Sequence, residues 1–213
     1  MSPEPSLSSH DDQVVAEVCH WLTRAVIGLN LCPFAKAVHV KDQVRYVVSH
    51  ATDEAAVFDA LDRELRWLAA ADPALTDTTL LILPDALQDF LAYNDFLYLA
   101  DNLLQSLRLD GVLQIASFHP AYQFEGTAPD DIENYTNRAP YPILHLLRED
   151  SIERAVAAFP DAADIYARNE ATMRRLGLAG WRAWMAGRGG GGRGEGEATD
   201  AAAAQDGKPR GQT

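Results

Sequence analysis

Between residues 44 and 118, three short apolar runs alternate with two longer segments of helical periodicity. This alternation limits what the chain can fold into more than any other feature. The first run, "VRYVVS" at 44–49, is short and β-branched, as strands are. The second, "TTLLILP" at 78–84, carries no charge on either face and reads as a central strand. The third is "VLQIASF" at 112–118. After the first run, Val57, Phe58, Leu61, Leu65 and Leu68 recur at helical spacing. After the second, Tyr93, Phe96, Leu97, Ala100, Leu103, Leu104 and Leu107 do the same. Asp53 and Asp89 stand where an N-cap carboxylate is needed. Strands separated by helices predict βαβ units with parallel strands.

The flanks extend this pattern. Val14, Val15, Val18, Leu22, Ala25, Val26 and Leu29 predict an amphipathic helix over 12–29. "PILHLLRE" at 142–149 fits either element, but Ser151 offers an N-cap to the segment that follows, so the run reads as a fourth strand. We expect it antiparallel and at the sheet edge. Pro160 suits the start of a last helix that stops at Gly177, and "WRAW" at 181–184 can dock back on the body. The expected fold class is α/β: a small mixed sheet of about four strands, in the order α-β-α-β-α-β-loop-β-α-α, with helices packed against it. Residues 11–186 read as one domain. Residues 1–10 read as a disordered arm and 187–213 as a disordered glycine-rich tail, because neither has an apolar face to offset ordering entropy.

Charge and cysteine content narrow the function classes. The net charge of −13 leaves no basic face for a phosphate backbone, so nucleic acid is not an expected partner. No apolar run reaches the length that spans a bilayer, so no membrane is expected either. "MSPEPSLSSHDDQ" has neither the basic nor the apolar region of a secretory signal, and the expected location is the cytoplasm. There a disulfide between Cys19 and Cys32 is not expected. Gly126 stands alone, so no glycine-rich nucleotide loop is present, and there is no GxSxG elbow. Nothing selects a cofactor or an oligomeric state.

Candidate chemistry gathers at strand ends. Ligands of open α/β sheets bind beyond the carboxyl ends of the strands, which here carry His50, Asp85 and His119. His119 also opens a connection, Pro120 to Tyr141, that is long for a compact domain. Tyr122, Phe124, Ile132, Tyr135 and Tyr141 give it apolar surface to bury, and Asn134 and Asn137 can close turns, so it reads as ordered. It is either a working surface or a cover for a sheet edge. Cys32, in "NLCPFAK", is either a buried thiol in a tight corner or a nucleophile with His119 as its base. Arg138 and Arg148 are the cations between 117 and 150; their guanidinium forks suit a small anion or the internal carboxylates, which outnumber them here. Cys32, His119 and His145 with Glu125 or Asp130 could form a mixed metal site, but no ligand pair has metal spacing, and none is assigned.

"GLNLCPFAKAV", "YNDFL" and the long "GVLQIASFHPAYQFEGTAPDDIENYTNRAPYPILHLLREDSIERAV" together resemble the bacterial family catalogued as domain of unknown function 1415, over roughly residues 12–178. The resemblance carries no activity. It implies a site around Cys32, Pro33, Phe34, His119, Pro120, Tyr122, Phe124, Asn134, Asn137, Arg138, His145, Arg148 and Glu149. The resulting expectation is a small-molecule enzyme, a hydrolase or group transferase, with Cys32 and His119 catalytic. Tyr122, Asn134, Asn137, Arg138, His145 and Arg148 would then bind an anionic substrate. The alternatives are a non-catalytic ligand-binding or protein-interaction domain, and a mixed Cys/His metal site.

Overall fold

The computed structural model describes residues 7–157 and 164–187. The chain opens with α1 (Leu7–Trp21), which widens into a π-helical turn (Leu22–Ile27), followed by the short α2 (Ala35–Val40). Then come β1 (Val44–Val48), α3 (Glu54–Ala70), β2 (Thr78–Ile82), α4 (Phe90–Ser106) and β3 (Leu113–Phe118). After a connection holding one 3-10 turn (Ile132–Thr136), the chain forms β4 (Ile143–Arg148), α5 (Glu149–Ala157) and α6 (Ile165–Met185). This is the expected α/β fold. Helix α1 starts within the stretch expected to be a disordered arm; its Asp11 carboxylate meets His50 at 2.8 Å, which ties the first turns to the sheet rim. The remainder of that arm, Pro160 and the glycine-rich tail lie outside the described residues. Among those described, no helix is long and apolar enough to cross a membrane.

The sheet order is β1-β2-β4-β3. β1 and β2 are parallel, and β4 is antiparallel to both β2 and β3. β1, β2 and β3 therefore run the same way, and their carboxyl ends share one rim. β4 is antiparallel as expected, but it lies inside the sheet and not at its edge. The reason is its double-sided apolarity: Leu144 and Leu146 enter one core, Ile143 the other, and each is fully buried. β3, with most of its residues half-exposed, takes the edge.

Alternation along β2 builds two cores. Leu81 and Leu83 face α3 and α4, meeting Leu61, Leu65, Tyr93 and Phe96. Leu80 and Ile82 face α1, the π turn and α6, meeting Val18, Trp21, Leu22 and Trp181. Asp53 and Asp89 cap as expected, accepting from the N–H groups of Ala56 (2.8 Å) and Ala92 (2.9 Å). Ser151 is not an N-cap, because α5 begins directly after β4; its hydroxyl donates to Asp77. Gly177, at φ 63° and ψ 171°, breaks helical geometry where the helix was expected to stop. Helical turns then resume and bring Trp184 onto the π turn. Its indole N–H donates to the Arg24 carbonyl (2.7 Å), and the Arg24 guanidinium lies 4.5 Å from its ring centre.

Tyr93 closes the last rung of the β3–β4 ladder. Its hydroxyl accepts from the Phe118 N–H (3.2 Å) and donates to the Ile143 carbonyl (2.7 Å). Tyr93→Phe strands both main-chain groups in a dry core, which costs about 1–3 kcal/mol. Urea unfolding should show that loss, and amide exchange should show it as faster opening at Phe118.

Candidate functional site

The connection from His119 to Pro142 folds on its own polar groups. Asn134 is fully buried at its centre. Its amide oxygen accepts from the Phe124 N–H (3.0 Å) and the Thr127 hydroxyl (2.8 Å), and its amide nitrogen donates to the Ala128 carbonyl (2.8 Å). Asn137 clips the connection to the free side of β3: its amide donates to the Ser117 carbonyl (3.2 Å), and its own carbonyl accepts from the His119 N–H (3.2 Å). Tyr122 packs between Phe90 and Phe124, at ring distances of 5.2 and 5.0 Å. Asn134, Asn137 and Tyr122, expected to bind substrate, thus hold the connection together.

His119 is 1% exposed, wedged against Phe90 and Tyr93 on the α4 side of the sheet. Its Nδ1 accepts from the Ala121 N–H (3.0 Å), which leaves Nε2 to donate to the Leu87 carbonyl (3.1 Å). Burial lowers its pKa, against a smaller opposing effect of that carbonyl. Neither nitrogen remains for a proton from another group. Cys32 packs with the core on the opposite face of the sheet, beside α1. Burial pushes its thiol up in pKa, and the backbone N–H groups of Phe34 and Ala35 offset only part of that. The expected Cys32–His119 pair does not form, because alternation at the end of β3 sends Phe118 toward Cys32's layer and His119 to the other. The mixed metal set fails for the same reason; among the described residues, no three His, Cys, Asp or Glu could hold a metal ion.

His145 and Arg148 also bond within the fold. The Thr78 hydroxyl donates to the Leu146 carbonyl, so it accepts from His145 Nε2, each at 2.6 Å. Arg148 sits at the far end of β4, hence at the rim opposite His119. It donates to the carbonyls of Leu68 (2.6 Å), Ala71 (2.9 Å) and Thr76 (3.3 Å), closing the carboxyl end of α3.

Arg138 and Pro120 are the expected site residues that line a cavity. A groove of about 650 Å³ runs between α1, the connection and the last turns of α6. Trp21, Tyr135 and Trp181 give it an aromatic wall, and Glu17, His20 and Arg138 give it charge or polarity. Arg138 lies 4.4 Å over the Tyr135 ring, and its Nε and Nη2 donate to the Tyr122 (3.1 Å) and Pro129 (2.7 Å) carbonyls. The Arg138 carbonyl in turn accepts from the Trp21 indole (2.8 Å). A guanidinium has five N–H groups, so both on Nη1 and one on Nη2 remain without a partner among the described residues. Glu17 accepts from Tyr141 (2.7 Å) and Gln13 (3.0 Å), which hold its carboxyl below the usual range. His20 Nε2 donates to the Met185 carbonyl (2.9 Å), which ties α1 to the end of α6. Glu17, His20 and Trp21 lie one turn apart on α1, a spacing present in the helical pattern. The expected rim meeting of strand ends is partly realised: His50 Nδ1 lies 3.0 Å from Asp85, whereas His119 turns inward.

The His145 pKa falls to about 4 through burial alone. Its folded pKa lies below the unfolded value of about 6.5, so its contribution is full above pH 6.5 and is lost as pH falls toward 4. The expected loss is on the order of 3 kcal/mol. Urea midpoints of the native chain and His145→Gln should therefore converge as pH falls from 7 to 4.5.

A family model described as "Protein of unknown function (DUF1415)" matches residues 13–183. The chain belongs to that family. No curated protein and no solved structure matches it.

Proposed function

We propose that this DUF1415 chain is a ligand-binding domain whose groove between α1, the connection and α6 takes a small organic anion with a planar apolar body. What carries the reading is Arg138. Its guanidinium is oriented by two carbonyls and by the Tyr135 ring, yet keeps three N–H groups for a ligand. A carboxylate or phosphate accepts from such a fork in two places. Trp21 and Trp181 offer flat apolar surface to the rest of the ligand. Glu17, held ionised in the same groove, disfavours a second negative group and favours a hydrogen-bond donor at that end.

Catalysis by Cys32 and His119 is not part of this reading, since the two side chains face opposite layers and neither is activated. A cytoplasmic location is part of it, supported by Cys19 and Cys32 standing as free thiols.

Quenching of tryptophan fluorescence by 2-naphthoate and by its uncharged amide measures both requirements. The carboxylate should bind more tightly than the amide. Arg138→Met should weaken the carboxylate by about 10- to 100-fold, the scale of charge-assisted hydrogen bonds. Arg138→Lys should recover only part of that. Equal binding of acid and amide, or no binding of either, overturns the reading.

A further inference from the structure

The open edge of β1 lies against a second cavity, away from the groove. In the parallel β1–β2 ladder the Ser49 N–H donates to the Ile82 carbonyl (2.9 Å), and the Gln43 carbonyl accepts from the Thr78 N–H (3.3 Å). Those two bonds set the parity of the strand. Odd-numbered residues turn their main-chain groups toward β2, so Val44, Tyr46 and Val48 turn theirs outward. Among the described residues β2 is the sole strand beside β1, and no side chain bonds the outward groups. All five residues of β1 are half-exposed. Native proteins blunt long exposed edges with charge, proline or a covering element. Here α3 stands beside the edge without covering it, tied down by Arg45, which bonds Glu64 (3.0 Å) and stacks on Trp67 (4.1 Å).

Between this edge and α3 lies a cavity of about 330 Å³. Val47, Ala56, Ala60 and Leu81 give it an apolar side, and Asp59, Arg63 and Glu64 a charged one. The small alanines leave the space into which a side chain can enter. Unpaired main-chain groups and an adjoining side-chain pocket are the two elements of strand addition: the ladder supplies affinity and the pocket selects the residue.

We propose that β1 and α3 form a second binding site, for an extended peptide that adds to the sheet as a fifth strand and places one apolar side chain in the cavity. A second copy of this chain fits less well. Antiparallel pairing of two β1 strands about Tyr46 sets Arg45 of one opposite Val47 of the other, at the mouth of the cavity. That arginine is already engaged by Glu64 and Trp67 within its own chain.

Amide hydrogen exchange on the full chain tests this, with acetyl-Thr-Val-Leu-Val-Thr-amide as probe. In the free chain Arg45, Val47 and Ser49 should be protected, and Val44, Tyr46 and Val48 should exchange freely. Peptide at about 100 times its Kd should slow those three on the order of a hundredfold. The same peptide methylated on every amide nitrogen should have no effect. Val48→Pro, tolerated at an edge, removes one outward donor and should weaken binding. Ala56→Phe fills the cavity from the helix side and should do the same, should the proline disturb the strand. Protection of Val44, Tyr46 and Val48 in the dilute free chain overturns the proposal. So does protection that rises with protein concentration alone, which assigns the edge to a second copy, and so does a peptide that leaves the three amides unchanged.

Discussion

The antiparallel return of β4 into the gap between β2 and β3 is the constraint on which the rest depends. A parallel strand placed there would need a crossover from one rim to the other. An antiparallel one begins at the rim where β3 ends, so the whole connection can stay on that rim and fold on itself. Asn134 does this at its centre, and Asn137 binds it back to β3. The resulting block stands against α1 and α6, and its seam with them is the groove that holds Arg138. The position of the groove is thus a result of strand order, and its chemistry of the few side chains left over when the connection's polar groups have been satisfied.

Three of the arginines at this seam and in the sheet serve the main chain. Arg24, Arg138 and Arg148 donate mainly to main-chain carbonyls and not to carboxylates. Exposed ion pairs add little stability, whereas a guanidinium that closes several carbonyls removes desolvation penalties that would otherwise persist. Each arginine joins segments distant in sequence: the π turn to α6, the two ends of the connection, and β4 to α3. Arg138 differs in lining the groove.

Most of the fold could be read from the chain because it rests on local chemistry. Asp53 and Asp89 cap where short-range rules place them, and β2 is central because no charge interrupts it. The place of β4 could not be read, since strand order is decided by which faces remain apolar once the helices have packed. The site was less legible than the fold. His119, Asn134, Asn137, His145 and Arg148 have the residue types of an active site, and polar residues in a core have the same types. Only their partners separate the two: Leu87 for His119, Thr78 for His145 and three carbonyls for Arg148. Trp21 and Trp181, far apart in sequence, could not be paired without the turn at Gly177 that brings the last helical turns back.

The Arg148 cap has a consequence for the order in which the chain becomes stable during synthesis. α3 and β2 leave the ribosome long before β4, because synthesis runs from the N-terminal end. Until residue 148 emerges, the last carbonyls of α3 lack their guanidinium, and β2 lacks its neighbour on one side. The sheet closes only once the last strand has been made, because β2 and β3 meet through β4 and not directly.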